Sequence, residues 1–167
     1  MRSGTLKIIP MTRSHIQACD AMVAASEPWK TLRERIDFLK YCELKQAYVG
    51  TIRDEPAGFI IFTPEPVFAR GGYLRAIGVD PALRGRGIGK KLLTFAEQKT
   101  AKRSQNLYLC VSSGNRKAMA FYKRLGYLRA GTLPDLIKKG ASEYIYWKRL
   151  QPIISYPKKK QKSATMA

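Results

Sequence analysis

The sequence predicts an α/β fold of the α+β kind, organised as one domain over residues 1–154 with a basic tail at 155–167. Three observations predict it. Strand-like and helix-like runs follow one another as β-α-α-β-β-β-α-β-α-β-β, seven strands and four helices. A glycine-rich turn, Arg84-Gly85-Arg86-Gly87-Ile88-Gly89, joins one of the strands to one of the helices. The chain has 167 residues, 45% hydrophobic and 26% charged, which suits a single buried core.

Residues 5–10 form the first expected strand. Thr12 caps a helix reaching about Ala25, whose apolar face is Ile16, Cys19 and Val23. Glu27-Pro28-Trp29 breaks it, and Thr31 caps a second helix with Leu32, Ile36 and Leu39 inward. Residues 47–52 and 57–62 are strands around the turn Arg53-Asp54-Glu55-Pro56, a hairpin. Residues 72–79 are the fourth strand, turned by Asp80-Pro81. Residues 88–103 are a helix in which Ile88, Leu92, Ala96 and Thr100 repeat every four positions. Residues 107–111 are uninterruptedly apolar, as in a buried parallel strand. Asn115 opens a helix ended by Gly126, and residues 127–133 and 143–150 are the last strands.

Charge is uneven. The net charge is +19, yet residues 1–83 hold 11 Lys/Arg against 9 Asp/Glu, whereas residues 84–167 hold 20 against 3. The basic surplus therefore starts at the glycine turn. It suits a phosphorylated ligand there, and it also suits contact with acidic surfaces, nucleic acid or a ribosome. The run Lys158-Lys159-Lys160-Gln161-Lys162 is expected to be a solvated, disordered tail. Cys19, Cys42 and Cys110 are odd in number and far apart, and His15 is the only histidine, so neither a disulfide framework nor a metal site is expected. No apolar run approaches the ~20 residues of a membrane span, and the first residues lack the apolar core of a signal peptide. A reducing cytoplasm is the expected location.

The chemistry concentrates at the glycine turn. A helix N-terminus has free N–H groups and the positive end of the helix dipole. Glycines let a phosphate approach those groups, and Arg84 and Arg86 add charge-assisted donors. The stretch fails the P-loop pattern, because Lys91 follows Gly89-Lys90, and it fails G-x-G-x-x-G at Lys90. It satisfies R-x-x-G-x-G as Arg84, Gly87 and Gly89. In this it resembles the acyl-CoA-binding motif of the GNAT superfamily of N-acetyltransferases. A second motif extends the resemblance: Asn115, Ala118, Phe121-Tyr122 and Gly126-Tyr127, with Ala118, Phe121, Tyr122 and Leu125 on one helical stripe. The element order over residues 5–150 is also similar to the GNAT fold.

The resemblance implies a central, mixed, mostly antiparallel twisted sheet of about seven strands flanked by four helices. It implies an acetyl-CoA-dependent acyltransferase, needing no metal, that moves the acetyl group to a primary amine through a ternary complex. Cofactor contacts would come from Ile77, Gly78, Val79, Arg84, Gly85, Arg86, Gly87, Ile88, Gly89, Lys90, Asn115 and Tyr122. Tyr122 would serve the departing thiolate as general acid, against the plainer role of a half-buried packing residue. Relatives often carry a glutamate on the fourth strand; here that strand has Tyr73, Arg75 and Ala76 and no carboxylate before Asp80. Glu27, Asp135, Glu143 or a water chain remain as bases, each acid having an ordinary surface or network role as its alternative. Trp29 and Tyr108 would border the acceptor, Cys110 reads as an inert thiol, and His15 as a first-turn helix residue. The acceptor is a small-molecule amine, a peptide N-terminus or a protein lysine. A homodimer is compatible with the family but specified by nothing in the sequence. The alternative function is a non-catalytic acyl-CoA-binding or nucleic-acid- or ribosome-associated module on the same scaffold.

Overall fold

The computed structural model describes residues 4–152, so the basic tail and the domain end at 154 lie outside the described residues. Seven strands form one sheet in the order β1-β2-β3-β4-β5-β7-β6: β1 (Lys7–Pro10), β2 (Ala47–Ile52), β3 (Glu55–Phe68), β4 (Gly71–Val79), β5 (Asn106–Ser112), β6 (Leu128–Pro134) and β7 (Ser142–Arg149). Every neighbouring pair is antiparallel except β4 and β5. The expected mixed, mostly antiparallel sheet is therefore present.

The helices are α1 (Arg13–Ala24), α2 (Trp29–Leu32), α3 (Phe38–Glu43), α4 (Ile88–Ala101) and α5 (Arg116–Arg124). Two separate cores lie on opposite faces of the sheet. On one face Leu92, Leu93 and Ala96 of α4 pack with Tyr122 of α5 on Ile60, Phe62, Leu74, Leu107, Leu109 and Val111. On the other, Cys19, Met22 and Val23 of α1 and Phe38 of α3 pack on Val49, Phe59, Ile61 and Ala76. The four-residue repeat of the glycine-motif helix is thus wholly buried, with Thr100 included.

The expected second helix is instead two short ones. Arg33 adopts a left-handed conformation (φ 53°) that ends α2, and the Asp37 carboxylate caps α3 by accepting from Lys40 N at 3.1 Å. Restarting the helix at Asp37 moves its buried position: Phe38 is inward, whereas Leu39 is exposed. β3 also runs beyond the expected Phe62. Its last residues leave the regular ladder, since pairing with β4 jumps from Thr63–Tyr73 to Phe68–Gly71. Pro64 and Pro66, which lack an N–H, stand in that interval.

Candidate active site

A bulge and a broken ladder create the site. β3 pairs Ile61 with Ala76 and Phe62 with Leu74, so Arg75 is an extra residue on β4. A bulge bends its strand and increases the local twist. On its other edge β4 pairs with β5 only from Gly71–Asn106 to Leu74–Leu109. Beyond that point the two central strands separate, and a cleft of about 1190 Å³ opens between them. Residues from both faces of the sheet line it, Trp29, Ile36 and Tyr41 from one side and Gly89, Asn115 and Phe121 from the other.

The open edge of β4 carries unpaired backbone groups. Asp80 N donates to Ala57 O on β3, at 3.0 Å. Strand N–H groups alternate between edges, so Gly78 also faces β3 while Ile77 and Val79 face the cleft. Arg84 agrees with this assignment, because its Nε donates to Val79 O from the cleft side at 3.3 Å. The same guanidinium donates to Ser26 Oγ at 2.6 Å, and Ser26 Oγ donates to Met22 O at 2.5 Å. Arg84 thus ties the end of β4 to the end of α1. Gly78 is required by packing: a Cβ there would lie 2.4 Å from Cε1 of the fully buried Phe59.

Asp80 turns the chain by accepting from Ala82 N at 2.9 Å, ahead of a 3-10 turn at Pro81–Leu83. Gly85 and Gly87 then adopt φ of +78° and +76°, and Gly87 caps α4. A Cβ at either would meet nothing within 4 Å, so these glycines serve the backbone conformation and leave the space before the helix clear. The first N–H groups of α4 open onto that space, and Lys90, with Lys117 and Arg124 of α5, adds positive charge to the lining of the same cleft. This cradle fits a phosphorylated ligand.

Among the expected cofactor residues, Ile77, Gly78, Val79, Arg84 and Gly85 line the cleft, as do Gly87, Ile88, Gly89, Lys90, Asn115 and Tyr122. Arg86 is exposed and lies outside the lining. Asn115 caps α5, its Oδ1 accepting from Ala118 N at 3.1 Å, and its Nδ2 donates to Glu27 O at 3.4 Å. Tyr122 is 6% exposed and sits edge-on between Phe121 and Tyr127. Burial pushes its phenol well above the usual tyrosine range, with a further push from Tyr73, so it remains a protonated donor.

The expected acids separate. Glu27 lines the cleft, its carboxylate accepting from Thr31 N at 3.3 Å. Asp135 is not in the lining: it starts the β6–β7 turn at φ 54° and its carboxylate accepts from Gly140 N at 2.7 Å. Tyr108 lies outside the lining too, stacked on Trp147 and donating to Ala69 O at 3.4 Å. Trp29 lines the cleft and also packs on Phe59. His15 accepts from Thr12 N at the start of α1 and is a helix-capping residue.

The third acid weighed as a base is Glu143. It is 6% exposed, lines the cleft and accepts a hydrogen bond from Ser112 Oγ, the residue opposite it in the β5–β7 ladder. Tyr73 and Cys110 lie close by and hydrogen-bond each other; burial raises both pKa values and the Glu143 charge adds to the rise. Strand alternation puts Glu143, Ile145 and Trp147 on one face, beside Ser112, Cys110 and Tyr108 of β5.

Together the split sheet, the glycine cradle and the tyrosine between them define a class: an α/β protein with a gap in its own sheet whose lining fits a phosphorylated ligand. The chain belongs to the acetyltransferase (GNAT) family, whose description matches residues 13–127. It is 35% identical over 95 residues to the peptidyl-lysine N-acetyltransferase YjaB of Salmonella typhimurium, a stretch covering 57% of each chain. The chain thus spans little more than half the length of that curated relative. Among solved structures it resembles Ard1 from Thermoplasma volcanium (TM-score 0.74, 19% identity, 88% of this chain and 99% of that one). It also resembles an aminoglycoside 6′-N-acetyltransferase complexed with coenzyme A (TM-score 0.70, 19% identity, 89% and 99%). These two likenesses show the fold.

Proposed function

We propose that the protein is an N-acetyltransferase that moves an acetyl group from acetyl-CoA to a primary amine by direct attack in a ternary complex. The observation that carries this reading is the gap between β4 and β5, with a phosphate cradle at one end and Tyr122 in its wall. The family, the name of the lysine-modifying relative and the coenzyme A in the aminoglycoside enzyme's structure support it.

The pyrophosphate lies at Gly85, Gly87 and the N-terminus of α4. Lys90, Lys117 and Arg124 are placed to meet further phosphate charge. The pantetheine arm runs along the open edge of β4 past Asn115. The Ile77 or Val79 N–H, free of any strand partner, donates to the oxyanion that develops on the thioester carbonyl. Tyr122 gives its proton to the departing thiolate. Its raised pKa suits a donor that must stay protonated until the C–S bond breaks. The amine enters past Glu27, which lines the cleft beside Asn115.

Thermal unfolding tests the reading. Acetyl-CoA at ~100 times Kd adds about 2.7 kcal/mol of stability. For a domain of this size that raises Tm by about 5–11 °C. ATP at the same concentration, a polyanion without the pantetheine arm, should add far less. Equal shifts with both would reduce the cleft to a general polyanion site and favour the non-catalytic, nucleic-acid-associated reading.

A further inference from the structure

We infer that Glu143 is the carboxylate that receives the acceptor's ammonium group in the cleft and takes its proton before attack. The inference rests on the transferase reading and names the missing base of that reaction.

Three observations carry it. First, the side chain is buried yet lines the cleft, so it is held away from bulk water but open to a ligand. Second, its only side-chain hydrogen bond among the described residues comes from Ser112, and no lysine or arginine among them forms an ion pair with it. A buried carboxylate is stabilised by a cationic partner, and an incoming ammonium supplies one. Third, its position is correct for the reaction. β5 places Cys110 and Ser112 on the face opposite the α4–α5 core, and the ladder sets Glu143 beside Ser112. That face meets the gap where β4 and β5 part, just past Leu74 and Leu109. The cradle and Tyr122 reach the gap from the other face. Donor and acceptor groups thus converge on the thioester from opposite sides of the sheet.

The groups near Glu143 define its setting. Tyr73 comes from β4 and Cys110 from β5, each within electrostatic reach of the carboxylate, and Arg75, which lines the same cleft, acts on Tyr73. Leu133 of β6 is its partner on the other edge and carries no charge. Exposed Leu136 and Ile137, in the turn after β6, complete the lining nearby and offer an apolar surface to the acceptor's carbon chain.

The protons balance as follows. The ammonium transfers one proton to Glu143, and the neutral amine attacks the carbonyl carbon. The C–N bond forms as the carbonyl π pair moves to oxygen. The oxyanion collapses, the C–S bond breaks, and the thiolate keeps the electron pair and takes a proton from Tyr122. The amide nitrogen releases its second excess proton, which restores Tyr122 through solvent. Glu143 returns its proton to solvent, so each turnover releases one proton.

The test uses the full chain and three probes: an alanine-initiated peptide, an N-terminally blocked lysine peptide, and spermidine. Glu143→Gln preserves shape and can still accept from Ser112. It should lower kcat/KM at least about 10²-fold, and more for the lysine peptide, whose amine has the higher pKa (~10.4 against ~8). The Tm rise with acetyl-CoA should be unchanged. Glu143→Asp, which keeps the charge, should recover part of the rate and the acidic limb of the pH profile. Equal impairment in both variants, or a Gln variant within twofold of wild type, would overturn the inference. So would wild-type protein that binds acetyl-CoA but acetylates none of the probes. Failure to bind acetyl-CoA would instead overturn the transferase reading on which the inference rests.

Discussion

Tyr122 is the most informative single side chain. Tyr122→Phe removes one oxygen and leaves the ring between Phe121 and Tyr127, so the fold and the acetyl-CoA-induced Tm rise should persist while kcat falls by about 10²-fold. Unchanged turnover would return Tyr122 to a packing role. The three thiols make a complementary prediction. Burial pushes Cys19 up to about 12 and also raises Cys42 and Cys110. None should react quickly with iodoacetamide at pH 7.5 in the native protein, and Cys19 should be the slowest. At this scale the sequence was legible where a residue type serves a local motif. Gly87 and Asn115 could be named as helix-terminal residues because a local motif marks each, whereas the role proposed for Tyr122 came from the resemblance to the family. Glu143 could not be given its place, because its burial depends on Ser112 and Tyr73, which lie on two other strands. Asp135 shows the same limit in reverse: an acid well placed along the chain whose carboxylate serves its own turn through Gly140.

Strands and helices are governed by the backbone. Gly78→Ala would drive a methyl group into Phe59, which has no room to yield, at a cost of about 1–3 kcal/mol. Gly87→Ala has open space, so its cost comes from the left-handed conformation alone, about 1–2 kcal/mol. The two should differ in kind. Denaturant unfolding with and without acetyl-CoA would show Gly78→Ala mainly lowering stability and Gly87→Ala mainly weakening cofactor binding. Element order was readable because the alternation of strand and helix periods is strong over residues 47–134. The segment between α1 and β2 was less so. Thr31 is a good cap by composition, yet Asp37 is the residue whose carboxylate meets a free N–H, and the left-handed Arg33 is invisible to a periodicity argument. The bulge at Arg75 was equally hidden, since no glycine marks it.

The whole molecule responds to pH through its buried phenols and thiols. Tyr73, Tyr122 and Tyr127 have raised pKa values, chiefly through burial, and Cys19 shares that cause. In the unfolded chain these groups ionise at ~10 for tyrosine and ~8.5 for cysteine. The folded state keeps its protons to higher pH, so their contribution is complete below those values and is lost as pH rises toward the folded ones. Tm should therefore fall steadily above about pH 9. A flat Tm between pH 9 and 11 would show that these side chains are not buried as described. The net charge of +19 adds a salt test. If the basic half contacts nucleic acid, log Kd for a single-stranded RNA should rise linearly with log salt, one phosphate contact contributing a slope of about 0.7. No measurable RNA affinity at low salt would assign the charge to the cradle and to solubility.

The parting of β4 and β5 has a kinetic consequence. A pocket closed at its inner end obliges two ligands to enter and leave through one mouth, and the first to arrive obstructs the second. A cleft lined from both faces of the sheet can be approached from two sides. In the proposed reaction neither ligand need then wait for the other, and the acetylated product could depart on one side while the spent carrier departs on the other. Initial-rate plots should intersect, as any ternary complex requires, and binding should be random in order rather than compulsory.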